Sequence, residues 1–172
     1  MRTLSLELRS IHDTLRERLR TAVDTLSQGR SPATDTLVLD HCIGFCVALH
    51  EHHTGEDASV LPALWAAAPE LGDTIDKLVQ DRSMMSWLLQ RAASAIKGAA
   101  RSGDTAPVAS ELEGIAAIME SHFRYEERTI LDALDRLPDA AGWPPPCAPS
   151  TARSAWGLIG LRTWVADIGS VG

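Results

Sequence analysis

The run His50-Glu51-His52-His53-Thr54-Gly55-Glu56-Asp57 has a partner further along the chain, Ser121-His122-Phe123-Arg124-Tyr125-Glu126-Glu127. Each holds a histidine followed four residues later by a glutamate: His52 with Glu56, His122 with Glu126. At about 3.6 residues per turn, that spacing puts an imidazole and a carboxylate on one helix face, one turn apart. Imidazole and carboxylate together suit a borderline cation such as iron or zinc. One such pair arises easily by chance; two, each inside an apolar seam, point to a site.

Outward from these runs the chain reads as four amphipathic helices. Over residues 3–28, Leu8, His12, Leu15, Leu19, Ala22 and Leu26 alternate spacings of four and three, an a/d seam with His12 at a core position. Gly29-Arg30-Ser31-Pro32 breaks it. The pattern predicts a second helix from Asp35 to Ala67, with Val38, His41, Phe45, Ala48, Leu49, His52, Glu56 and Ala63 on its seam and a kink or one loosened hydrogen bond at Pro62. His41 is eleven residues from His52, about 16 Å along the axis, and is expected to be a satisfied core histidine rather than a ligand. A third helix over Glu70–Ala100 carries Leu71, Ile75, Leu78, Arg82, Met85, Leu89, Ala92 and Ile96, with Arg82 its one polar member. Pro107 falls in the next break. A fourth, over Ser110–Arg136, faces inward with Leu112, Ile115, Met119, His122, Glu126, Thr129 and Ala133.

Short connections make this an all-α, antiparallel up-down-up-down four-helix bundle over residues 1–137. Counted from one end of such a bundle, His12, His52, Arg82 and His122 fall within about three turns of one level. Residues 138–172 contain Trp143-Pro144-Pro145-Pro146 and are expected to form an irregular, poorly ordered tail that carries no chemistry.

The bulk composition narrows the function classes. A net charge of -7 argues against nucleic acid as a partner. No apolar run suggests a membrane span or a secretory signal, so a cytoplasmic protein is expected. Arginine outnumbers lysine fourteen to two and alanine is abundant, a leaning toward a GC-rich bacterial genome. Cys42, Cys46 and Cys147 are too few and too sparse for a disulfide framework, and Cys42 and Cys46 read as small buried hydrophobes. There is no nucleophilic triad, phosphate-cradling glycine loop or dinucleotide fingerprint, so a binding protein is expected rather than an enzyme, and any catalysis would belong to a metal.

With His12 in Ser10-Ile11-His12-Asp13, His52-x-x-x-Glu56 followed by Leu61-Pro62-Ala63-Leu64, and His122-x-x-x-Glu126 before a leucine-rich turn, residues 5–136 resemble the hemerythrin-like (HHE cation-binding) family. The resemblance implies a non-haem di-iron centre inside the bundle, with histidines capping the irons and two glutamates bridging them. It implies His12, His52, Glu56, His122 and Glu126 as metal ligands, with His53, about 100° round the helix from His52, second to them. Dioxygen, peroxide, nitric oxide or iron itself would be the small-molecule partner.

One position departs from the family pattern. Where the third helix is expected to supply a histidine, the chain reads Leu78-Val79-Gln80-Asp81-Arg82. Two buried carboxylates need positive partners, and a full di-iron centre beside Arg82 would leave an excess of positive charge. The charge count favours one metal ion or none, unless Arg82 snorkels out past the seam and leaves room for two irons. The alternative is a metal-free structural or protein-interaction bundle in which Arg82 pairs with Glu56 and Glu126.

Overall fold

The computed structural model describes residues 3–29 and 37–137; the break around Pro32 and the tail expected over 138–172 lie outside the described residues. The described residues form five helices: α1 (Leu4–Ser27), α2 (Leu37–Gly55), α3 (Leu61–Ala67), α4 (Gly72–Ser102) and α5 (Ala106–Leu134). A π turn, Glu56–Val60, joins α2 to α3. Gly55, Val60 and Leu61 all keep right-handed helical angles, so α2, the π turn and α3 make one continuous rod. The bundle thus has four rods. α1 packs on α2 and α5, and α4 packs on the same two. Numbers rising along α1 meet numbers falling along α5: Ser5 bonds Asp135, His12 bonds Glu127, and Arg16 bonds Glu120.

The ends follow from local chemistry. Thr3 caps α1 by accepting the Leu6 N–H on its side chain. Gly103, at φ 78°, stops α4 in the left-handed conformation that glycine adopts without a side-chain penalty, and its N–H returns to Ala99 O at 2.8 Å.

Two expectations change and one is resolved. Of the kink or loosened hydrogen bond expected at Pro62, the second rod shows an altered hydrogen-bond pattern. A proline inside a helix removes one N–H and crowds the preceding turn. Here the adjustment is made upstream, where the Leu61 N–H reaches back to Glu56 O across a π turn, and Pro62 falls in the first turn of α3. The fourth rod starts at Ala106 rather than Ser110, because Pro107 in the first turn gives up an N–H that has no intrahelical partner anyway. His41 is only half-buried and is no core histidine; Val38, Cys42, Phe45, Cys46 and Leu49 fill that face.

The core is divided. One apolar cluster includes Leu15, Phe45, Leu49, Met85, Leu89, Met119 and Phe123. A second, toward the other end, includes Leu8, Val60, Leu64, Leu78, Ile130 and Leu134. The polar residues lie where one gives way to the other. His12 stands between Leu8 and Leu15, and His52 and Glu56 stand between Leu49 and Val60. Arg82 stands between Leu78 and Met85, and Glu126 between Met119 and Ile130. Four rods therefore bring their polar residues to one layer sealed above and below by hydrocarbon.

Candidate metal centre

Arg82 turns inward. Its side chain is 3% exposed, so it does not snorkel out. One terminal nitrogen, Nη2, donates to Glu56 Oε2 at 2.5 Å and to Glu126 Oε1 at 2.7 Å, while Nη1 donates to Asp57. Asp57 itself is half exposed. The guanidinium joins three carboxylates from two rods, the two inner ones being 0–1% exposed.

Two imidazoles lie against the same carboxylates. His12 Nε2 is 3.3 Å from Glu126 Oε2, and His52 Nε2 is 3.5 Å from Glu56 Oε2. Taking one donor atom from each, His12, His52, Glu56 and Glu126 all lie within 4.8 Å of one another, and all four residues are buried. His12 Nδ1 lies 2.8 Å from Glu127 Oε1, a contact that orients the ring and turns Nε2 toward the cluster. Phe123 stacks on the same ring at 3.8 Å between centroids and 4° between planes. His12 is thus held on two sides.

The proton balance shows what this layer does without a cation. Burial pushes Glu56 well above the usual carboxylate range, and the neighbouring Glu126 adds to it against the pull of Arg82. Glu126 moves the other way: burial opposes ionisation, but His12 and Arg82 outweigh it and hold its pKa well down. Burial lowers His12, yet Glu126 and Glu127 more than offset that and raise it. Burial takes His52 and His53 well below the ordinary imidazole range and lowers His122. The two carboxylates are thus pushed apart: Glu126 is the more readily ionised, Glu56 holds its proton more firmly, and burial favours the neutral form of His52.

Of the five residues the resemblance implied as ligands, four share the cluster. His122 borders it without being one of the four: Nε2 is 3.7 Å from Glu126 Oε2 and Nδ1 is 3.7 Å from Asp81 Oδ2. His53, second among the candidates, is buried and lies edge-on to His122, ring centroids 5.3 Å apart. Two participants were not weighed from the sequence. Glu127 and Asp57 each follow a motif glutamate directly, and only the packing of α1 on α5, and of α4 on the π turn, shows what they hold.

A cation fits this donor set. His12 Nε2, His52 Nε2, Glu56 Oε1 and Glu126 Oε2 are buried with no hydrogen-bond partner. Such atoms are costly in a protein interior unless something binds them. Two imidazole nitrogens and two carboxylates form a mixed N/O set suited to a first-row divalent ion. A second ion on the far side of the carboxylates would have to share them with the Arg82 guanidinium.

A helical bundle with a buried histidine–carboxylate cluster of this kind is a candidate cation-binding protein. The model of the hemerythrin HHE cation binding domain matches residues 3–134, and the chain belongs to that family. No curated protein and no solved structure matches the chain. No helix among the described residues is long and apolar enough to cross a membrane.

Proposed function

We propose that this chain is a single-cation member of the family: a binding or sensing protein rather than an enzyme, built as an up-down-up-down bundle, holding one non-haem ion at His12, His52, Glu56 and Glu126. Iron is the first candidate. The observation that carries this reading is a set of four buried residues with donor atoms within 4.8 Å of one another, each with an unpartnered nitrogen or oxygen, on carboxylates whose other oxygens are taken by Arg82. His12 and His52 supply lone pairs, Glu127 orients His12, and Glu56 gives up its proton as the ion arrives. When bound, the ion supplies an acceptor for a small ligand; dioxygen, peroxide or nitric oxide are the ligands the resemblance suggests. The unpaired buried Cys42 and Cys46 support a reducing, cytoplasmic setting.

The test is elemental analysis of protein loaded anaerobically with Fe2+ or Zn2+, for the wild-type chain and for Arg82→His. About one ion per chain in the wild type, lost in His52→Ala, supports the reading. Two per wild-type chain would restore the di-iron expectation. A second reading has its own observation in the Arg82 ion pairs, which already bridge Glu56 and Glu126. In it the bundle binds no metal and serves as a structural or protein-interaction module. A thermal melt unmoved by either chelator or added ion would favour it, since a ligand of the folded state alone must stabilise that state.

A further inference from the structure

We propose that the buried Arg82 guanidinium makes this a site for a divalent cation only, and keeps bound iron in the ferrous state. The inference rests on the single-cation reading above and adds a preference for ion charge.

The geometry sets the count. Arg82 contacts Glu56, Glu126 and Asp57; once an arriving ion has displaced the Glu56 proton, these are three negative groups against one fixed positive charge, which leaves two negative charges. The other acids near this layer have cations beside them: Arg16, which also meets Asp13 and Glu120, is 3.2 Å from Glu127, and Lys77 is 3.0 Å from Asp81. A divalent ion at the four donors brings the balance to zero. A trivalent ion leaves one uncompensated positive charge between two apolar clusters, with the guanidinium on the same two carboxylates. Charge buried without a partner is strongly disfavoured. Arg82 cannot relieve this by deprotonating, because its carboxylate partners hold the proton still more firmly than usual. Nor does it lie on the surface, where water would screen it.

Oxidation of bound iron removes one electron from the ion and adds one unit of positive charge at this point. The electron passes to an external one-electron acceptor, such as ferricyanide in a mediated titration. The fixed guanidinium opposes that step and raises the potential of the couple. Arg82 is thus a specificity-determining residue of the site, acting through the carboxylates it shares with the ion.

The experiment compares wild type, Arg82→Gln, which removes the charge but keeps amide donors, and Arg82→Lys, which keeps the charge. Zn2+ and Ga3+, both redox-silent, are offered in competition as their nitrilotriacetate complexes. The wild type should take one Zn2+ and exclude Ga3+. Arg82→Gln should shift the discrimination toward Ga3+ by about tenfold or more, since a unit charge at this range acts on each unit of ion charge. Arg82→Lys should stay near the wild type. With iron, Arg82→Gln should have the lower midpoint potential. A wild-type chain that binds no cation overturns the single-cation reading and this inference together. One Zn2+ bound, with the same Zn2+/Ga3+ ratio in wild type and Arg82→Gln, overturns the role of Arg82 alone. The wild-type competition needs no variant to fold, and equal binding of Ga3+ there is sufficient to reject the proposal.

Discussion

The two sides of the polar layer are built from similar residues and have different outcomes. On one side His12 and His52 meet Glu56 and Glu126, and four donors converge. On the other, His53 and His122 are just as deeply buried, and His122 Nε2 comes within 3.7 Å of Glu126 Oε2, but neither belongs to the set of four whose donors are mutually close. Burial and residue type are therefore not what separates a candidate cation site from a histidine pair. The difference is one of position: His12 and His52 offer donors close to both carboxylates at once, while Arg82 occupies one oxygen of each carboxylate.

The comparison breaks most visibly if the guanidinium is removed. Arg82→Leu leaves Glu56 and Glu126 buried without their fixed partner, and removing one member of a buried pair costs about 3–5 kcal/mol. The cation-free variant should lose that much in a denaturant melt. Added Zn2+ should restore most of it, because ion at about a thousand times its dissociation constant contributes roughly 4 kcal/mol. A variant as stable as wild type without the ion would show that the carboxylates do not depend on Arg82.

Next in size is the contrast between the two histidines of the repeated motif. His52→Ala should weaken Zn2+ binding by about a hundredfold or more, the usual scale for a residue on which a metal site depends. His122→Ala should change it far less, since His122 lies outside the converging donors. Titration calorimetry on both variants reads the difference directly. Equal losses would mean that the bound ion draws His122 in, and that the two sides are less distinct than their geometry.

These contrasts mark how far the sequence could be read. The a/d spacings located the rods, and the polar positions on them pointed to one level; His12, His52, Arg82, His122 and Glu126 do lie in one buried layer. The family resemblance was also legible, from the doubled motif. The direction of Arg82 was not: a long side chain on a seam can turn in or snorkel out, and only the contacts with Glu56, Asp57 and Glu126 decide. The two halves of the repeated His-x-x-x-Glu pattern look equivalent in sequence, yet His52 joins the cluster and His122 does not. Glu127 was hidden for another reason. Its partner His12 is 115 residues away, and no local periodicity encodes that contact. His41 misled because a seam drawn through it competes with one through Cys42 and Cys46 a residue away, and the more apolar pair won the core.

A smaller effect tests the proton balance between the two sides. Glu56 and His12 have raised pKa values in the cation-free fold, so near neutral pH each tends to carry a proton that the ion must displace. His52, lowered well below the ordinary range, arrives deprotonated and releases none. Cation affinity should therefore rise with pH, and level off once Glu56 and His12 are both deprotonated. Uptake of Zn2+ near neutral pH should release protons into a weakly buffered solution. His52→Ala should reduce the release only as far as it reduces binding. Affinity independent of pH from 6 to 8, roughly the range in which imidazoles titrate, would contradict the assignment of those protons.

The smallest effect concerns the apolar cluster next to the layer. Cys42 and Cys46 share α2 with His52, and both are fully buried and unpaired. Burial pushes the Cys42 thiol up to about 12 and raises Cys46 as well. Cys42 also donates to Val38 O at 3.4 Å, so its hydrogen stays inside the helix. Thiolate, not thiol, is the reactive and metal-binding form. The pair should then behave as packing, with neither redox chemistry nor a share in the site. Replacing both by alanine should leave native-state labelling by a thiol reagent unchanged, and should leave Zn2+ affinity within about twofold, as expected for sites that share no partner. Labelling that falls in the double variant would mean that α2 opens under native conditions. The sealed layer on which the cation reading depends would then be exposed from that side.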